Sequence, residues 1–229
     1  MKEIEAIAAL QDPVRRRLYE YVVAQGREVG RNEAAEAAGV ARTLAAHHLD
    51  RLAEAGLLES GSRRLTGRSG PGAGRPAKVY TRARAERAVS LPARDYRTAA
   101  ELLAEAAEQA GLDAGLCVAA RRRGEALRGS AAPCGDLEEA MEMLAARGYE
   151  PHVEDAEGAK GAPGTAARVV RMRNCPFHAV AERFPPLVCG MNLALLEGLL
   201  GTDGRVRARM EARPGECCVV VEPSKDNGD

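Results

Sequence analysis

Residues 68–77 read RSGPGAGRPA: three glycines, two prolines and two arginines, with nothing to bury beyond alanine and proline. Such a segment sustains neither a helix nor a core, so the sequence on both sides must carry the fold and leave this stretch as a tip. The flanks alternate as strands do, LLESGSRRLTG before the tip and KVYTRA after it, and together they predict a β-hairpin. Across residues 60–87 eight Lys and Arg side chains stand against Glu86 alone. A positive field so concentrated suits a polyanion, and backbone and arginine at such a tip can follow phosphates or enter a minor groove. Arg63, Arg64, Arg68, Arg75 and Lys78 are the candidate contacts, with Arg75 the one expected in the groove.

What precedes the hairpin is helical. Ile4, Ile7, Leu10, Val14, Leu18, Tyr21 and Val22 recur at three- and four-residue intervals, and Asp12-Pro13 divides the run into two helices, Asp capping and Pro starting the second. A third helix is predicted from Asn32, as cap, to Ala38, stopped by Gly39. The next, RTLAAHHLDRLAEAGLLES, places Leu44, His48, Leu49, Leu52, Ala55 and Leu58 on one side, while Arg42, Thr43, His47, Asp50 and Arg51 turn outward. Two helices joined by AAGVA and followed by a basic hairpin form the winged helix-turn-helix arrangement, whose second helix enters the major groove. Arg42, Thr43, His47 and Arg51 are therefore candidate DNA contacts.

Net charge is zero, yet residues 1–90 hold 16 Lys and Arg against 11 Asp and Glu, and the remainder is acidic by the same margin. Length and composition argue for two domains, and the order of helices and strands predicts an α+β protein: a winged domain over 1–90, a linking and dimerising helix over 91–111, an α+β domain over 112–222 and a disordered tail over 223–229. The helix near 96–110 carries Leu102 and Leu103 among alanines, which suits close approach of a second copy. Beyond it DLEEAMEMLAARG and PLVCGMNLALLEGLLG read as helices. YEPHVED and ARVVRMR read as strands around the loop AEGAKGAPGTA, and RVRARMEARPGECCVVVE as a strand pair turning at Pro214-Gly215. No apolar run reaches signal-peptide or transmembrane length, so a cytoplasmic protein with no membrane partner is expected.

Six cysteines in a reducing compartment favour metal or redox chemistry over structural disulfides. Four of them, Cys175, Cys189, Cys217 and Cys218, lie outside zinc-finger spacing. Cys175 follows a strand, Cys189 is expected in the first turn of a helix and Cys217 after a tight turn, so the three can converge only through the fold. A helix start would make the Cys189 thiol more acidic. Soft sulfur ligands suit zinc, copper(I) or an iron-sulfur cluster. Consecutive residues of a strand face opposite ways, which makes joint ligation by Cys217 and Cys218 awkward; with Cys217 as ligand, Cys218 is expected in the core. Cys175 and His178 alone, without a phosphate loop, carboxylate pair or oxyanion signature, do not make an enzyme.

The HTH segment with GAGRPAKVYTRA, together with NCPFHAVAERFPPLVCGMNLALLEGLL and PGECCVVVE, resembles the SufR-like group of winged-helix repressors within the broad ArsR-type class. The resemblance implies a homodimer on double-stranded operator DNA, with a [4Fe-4S] cluster on three cysteines per subunit controlling DNA binding. The matching positions are Cys175, Cys189 and Cys217, with His178 or Cys218 as candidate fourth ligand. A [2Fe-2S] cluster or Zn is the alternative, as are thiol-redox or organic-effector regulation.

Overall fold

The computed structural model describes residues 2–63, 76–155 and 168–224. The hairpin tip with Arg64, Arg68 and Arg75, and the loop expected at 156–166, lie outside the described residues. The chain divides into two compact units, 1–94 and 95–229.

In the first unit, α1 (Lys2–Ala9) is followed by α2 (Pro13–Gln25), which starts where Asp12 accepts hydrogen bonds from the backbone N–H groups of Val14 and Arg15, each 2.9 Å. A two-residue strand β1 (Val29–Gly30) then leads into α3 (Arg31–Ala38). Gly30, not Asn32, is its cap, and it offers no side-chain cap bond. The pairing of β1 fixes the chain two residues earlier than a capping Asn would. Gly39 takes the left-handed conformation (φ 65°) and turns the chain into α4 (Arg42–Glu54).

α4 ends earlier than its apolar spacing predicts. Gly56 adopts φ 69°, and Leu58 is buried from strand β2 (Leu58–Arg63), not from the helix. Leu44 is 42% exposed because the packed stripe is Ala45, His48, Leu49 and Leu52, and residue 44 sits one helical step off it. β3 (Ala77–Arg82) pairs antiparallel with β2 from Leu58↔Arg82 to Arg63↔Ala77, and with β1 through Val29↔Tyr80. The resulting order is β1-β3-β2, with a core of Leu18, Val22, Val29, Leu49, Leu52 and Tyr80.

The second unit is also mixed helix and sheet. α5 (Tyr96–Gln109), capped by Asp95, is followed by α6 (Asp113–Arg128), α7 (Leu137–Ala145), β4 (Pro151–Asp155) and β5 (Arg168–Met172). Then come α8 (His178–Ala181), α9 (Pro185–Leu200), β6 (Val206–Met210) and β7 (Val219–Pro223). The sheet order is β4-β5-β7-β6, antiparallel throughout, with Met172, Val170, Val219 and Val221 packed against Leu144, Leu196, Leu199 and Leu200. Pro223, predicted to open the tail, instead pairs with Val206. Among the described residues no helix is long and apolar enough to cross a membrane.

α6 and α9 cross backbone to backbone. A Cβ on Gly124 would collide with main-chain atoms of Leu195 and Leu199, and one on Gly198 with those of Arg121 and Glu125. Gly198→Ala is therefore expected to push the helices apart and cost at least about 1–3 kcal/mol, the usual loss on overpacking. Guanidinium denaturation of the full chain reads this directly; an unchanged midpoint would show that the crossing is not tight.

Candidate nucleic-acid interface and cysteine site

α4 is held from behind and left open in front. Ala45, Leu49 and Leu52 are buried, whereas Arg42, Thr43, His47 and Arg51 are exposed. The N-cap, Ala41, offers no side-chain acceptor, and the first turn carries no acidic residue, so the positive end of the helix is left for an anion. His48 is buried, as its position on the packing face predicts. Burial lowers its pKa and keeps the ring neutral.

Asp50, expected to face outward, is instead the anchor between α4 and the wing. Its carboxylate accepts from Lys78 Nζ and from the Tyr80 hydroxyl, each at 2.7 Å, and from Arg31 at 2.7 Å. Burial, reinforced by Asp50, pushes the Tyr80 phenol up to about 12, so it stays a donor. Lys78 is thus tied to the protein's own carboxylate, and Arg63 is paired with Glu28 at 3.2 Å and Arg51 with Glu54 at 3.1 Å. The latter two pairs are exposed and open easily toward a phosphate. Asp50 carries no periodicity signal; only its place among outward-facing polar residues marks it.

Four of the six cysteines of the second unit meet in two pairs. Beyond β5, the loop is pinned by Arg173 N–H to the Glu150 carbonyl (2.9 Å) and by the Asn174 amide to the Gly148 carbonyl (2.6 Å), which sets Cys175 beside Cys217. The Cys175 and Cys217 thiols share a hydrogen bond. Asn192 Nδ2 lies 3.4 Å from the Cys217 sulfur, and the Tyr149 hydroxyl donates to Asn192 Oδ1 at 2.5 Å. The Cys175 hydrogen bond, against burial and with help from backbone N–H groups and Asn192, lowers the Cys217 thiol. The Cys175 thiol is pushed up, first by that same bond and then by burial. Asn192 and Tyr149 were invisible as site residues; the one signal was an Asn inside the apolar run CGMNLALLEGLL.

Cys189 and Cys218 form a disulfide, with Cα atoms 6.4 Å apart. Cys189 is the fifth residue of α9, past the turn in which a helix start acidifies a thiol, so that expectation does not hold. Nor does strand alternation separate Cys217 from Cys218: the chain bends at 218, before β7 begins, and both residues reach α9, one at Asn192 and the other at Cys189. His178 is exposed and lies 3.2 Å from Glu182, one turn on. Cys134 is a core thiol raised to about 11 by burial, and Cys117 is partly buried beside Gly190. Among the described residues no three His, Cys, Asp or Glu side chains are grouped to hold a metal ion. With the disulfide closed, Cys175 and Cys217 are one thiol short of a three-cysteine cluster site, so the oxidised chain does not fit that group.

Residues 10–61 match the family model for a helix-turn-helix domain, which covers α2 to most of β2. No curated protein and no solved structure matches the chain. The matched segment, closed by a three-stranded wing and presenting an exposed α4, supports a DNA-binding transcriptional regulator of the winged-helix class.

Proposed function

We propose that the protein is a homodimeric repressor that senses iron-sulfur or redox status at the cysteine site of its second unit. The observation that supports this reading is that four cysteines from a loop, a helix and a bend far apart in sequence fall into two pairs, Cys175 with Cys217 and Cys189 with Cys218, tied to each other by the adjacency of Cys217 and Cys218. In the reduced chain Cys175, Cys189 and Cys217 are the ligands proposed for a [4Fe-4S] cluster, with soft sulfur also suited to [2Fe-2S] or Zn. A cluster would supply a centre that oxidants destroy, making operator binding respond to its status.

The dimer is proposed through α5. This helix buries Ala104 against Phe184, Leu187 and Val188 but leaves Leu103 72% exposed and Leu102 and Tyr96 exposed beside it. Two copies would present two α4 helices to a near-palindromic operator. The reading is tested by iron and acid-labile sulfide analysis of protein purified without oxygen, alongside Cys189→Ser. Wild type is expected to hold iron and sulfide in equal amounts and the variant almost none while remaining folded. Colourless, iron-free wild type would sink the cluster reading and leave the DNA-binding one.

A further inference from the structure

We propose that Cys218 is a redox gate on this site: its disulfide with Cys189 withdraws Cys189 from ligation, so the site accepts a metal centre only after that bond is reduced. The inference rests on the metal-site reading above. It follows from which sulfurs are joined. The bond does not take the two hydrogen-bonded thiols, Cys175 and Cys217; it takes one proposed ligand, Cys189, together with the cysteine next in sequence to another. A single disulfide therefore leaves a ligand pair intact and removes the third member.

The placement makes the step reversible without rebuilding the fold. Cys189 sits within α9 and Cys218 at the bend entering β7, with Cα atoms 6.4 Å apart, inside the range that disulfides span. The bend is itself held: the Cys217 N–H donates to the Met172 carbonyl at 2.9 Å and the Glu211 N–H to the Cys218 carbonyl at 2.8 Å. Cys189 and Cys218 are both partly exposed while Cys217 is 2% exposed, so a soluble reagent meets the gate pair before that ligand.

The oxidant is a low-molecular-weight disulfide, RSSR. One of the two protein thiols, as thiolate, attacks a sulfur of RSSR; the S–S bond breaks, one RS⁻ leaves and takes up the proton as RSH. The second protein thiol then displaces the remaining RSH and closes Cys189–Cys218. RSSR is reduced to two RSH, and the two cysteines lose two electrons and two protons.

The test uses the full chain equilibrated in oxidised or reduced glutathione and then freed of it, with Cd²⁺ alone as probe, followed by thiolate-to-metal charge-transfer absorption, thiol alkylation and peptide mapping. Six alkylatable thiols are expected after reduction and four after oxidation, the missing two being Cys189 and Cys218. Oxidation is expected to weaken Cd²⁺ binding by at least about 10–100-fold, the loss typical of disturbing even an outer partner of a metal ligand. Cys218→Ser should bring the ratio of oxidised to reduced affinity close to one; that ratio reads the gate whatever Cys218 itself adds to affinity. Equal Cd²⁺ affinity of oxidised and reduced wild type overturns the gate and spares the metal site. Mapping of Cys189 to Cys175 or Cys217 overturns it too, and a reduced chain that binds no Cd²⁺ overturns gate and metal reading together.

Discussion

Arg171→Met is expected to destabilise the protein by about 3 kcal/mol, the scale on which removing one partner strands buried charge. Arg171 projects from β5 at 2% exposure. Its Nε donates to Glu154 at 2.7 Å, its Nη2 is bonded to Glu211, and its Nη1 lies 4.0 Å from Glu216 Oε2. Methionine fills most of the volume, so the loss reads the charge and not a cavity. Arg213 and Arg209 keep some compensation on Glu154 and Glu211, and all three carboxylates retain part of their solvent, which holds the effect to the lower end of that scale. Glu216, the residue before Cys217, stands at the edge of this network.

The effect depends on pH with a definite sign. Burial would raise the Glu154 carboxyl, but Arg213 and Arg171 outweigh it and hold it below the ordinary value. A carboxylate depressed in the folded state contributes stability above its unfolded pKa and loses it as pH falls through the folded one. The gap between wild type and Arg171→Met should therefore narrow below about pH 4. Denaturant titrations of both proteins at neutral and acidic pH decide it; a gap that is small at neutral pH, or constant across the range, would show that the network does not support the sheet.

Legibility in the sequence followed the size of the side chains that do the packing. α2 and α4 were readable because Leu18, Val22, Leu49 and Leu52 repeat at helical spacing, and the wing because a Gly- and Pro-rich tip separates two alternating strands. α6 was not: its buried face is Ala120 and Gly124, and a helix that packs through small residues leaves no apolar period in a run such as RRRGEALRG. At the site, the four cysteines were visible as residues, but their pairing was not. Alternation assumes continuous strand, and one bend at 218 lets both sulfurs meet α9. Polar partners such as Asp50, Asn192 and Arg171 are set by tertiary distance alone, and no local pattern announces them.

Arg42→Ala combined with His47→Ala is expected to reduce specific DNA affinity by at least roughly 30-fold, each contact that reads a base edge being worth about 1–3 kcal/mol. Both side chains are exposed on α4 above a buried stripe of Ala45, His48, Leu49 and Leu52, so their removal costs the fold little. The duplex for the measurement is one that wild type selects from a randomised pool, and binding is followed by anisotropy across a salt series. Loss of a base reader should flatten discrimination against a scrambled duplex, whereas loss of a phosphate contact lowers affinity for both and reduces the salt slope by about one. Lys78→Ala supplies the contrast. With its Nζ engaged by Asp50 at 2.7 Å, Lys78 is expected to leave the slope unchanged while loosening the wing from α4. A double variant that still discriminates, or a Lys78 variant that loses a full unit of slope, would move the DNA-reading surface from the helix to the wing.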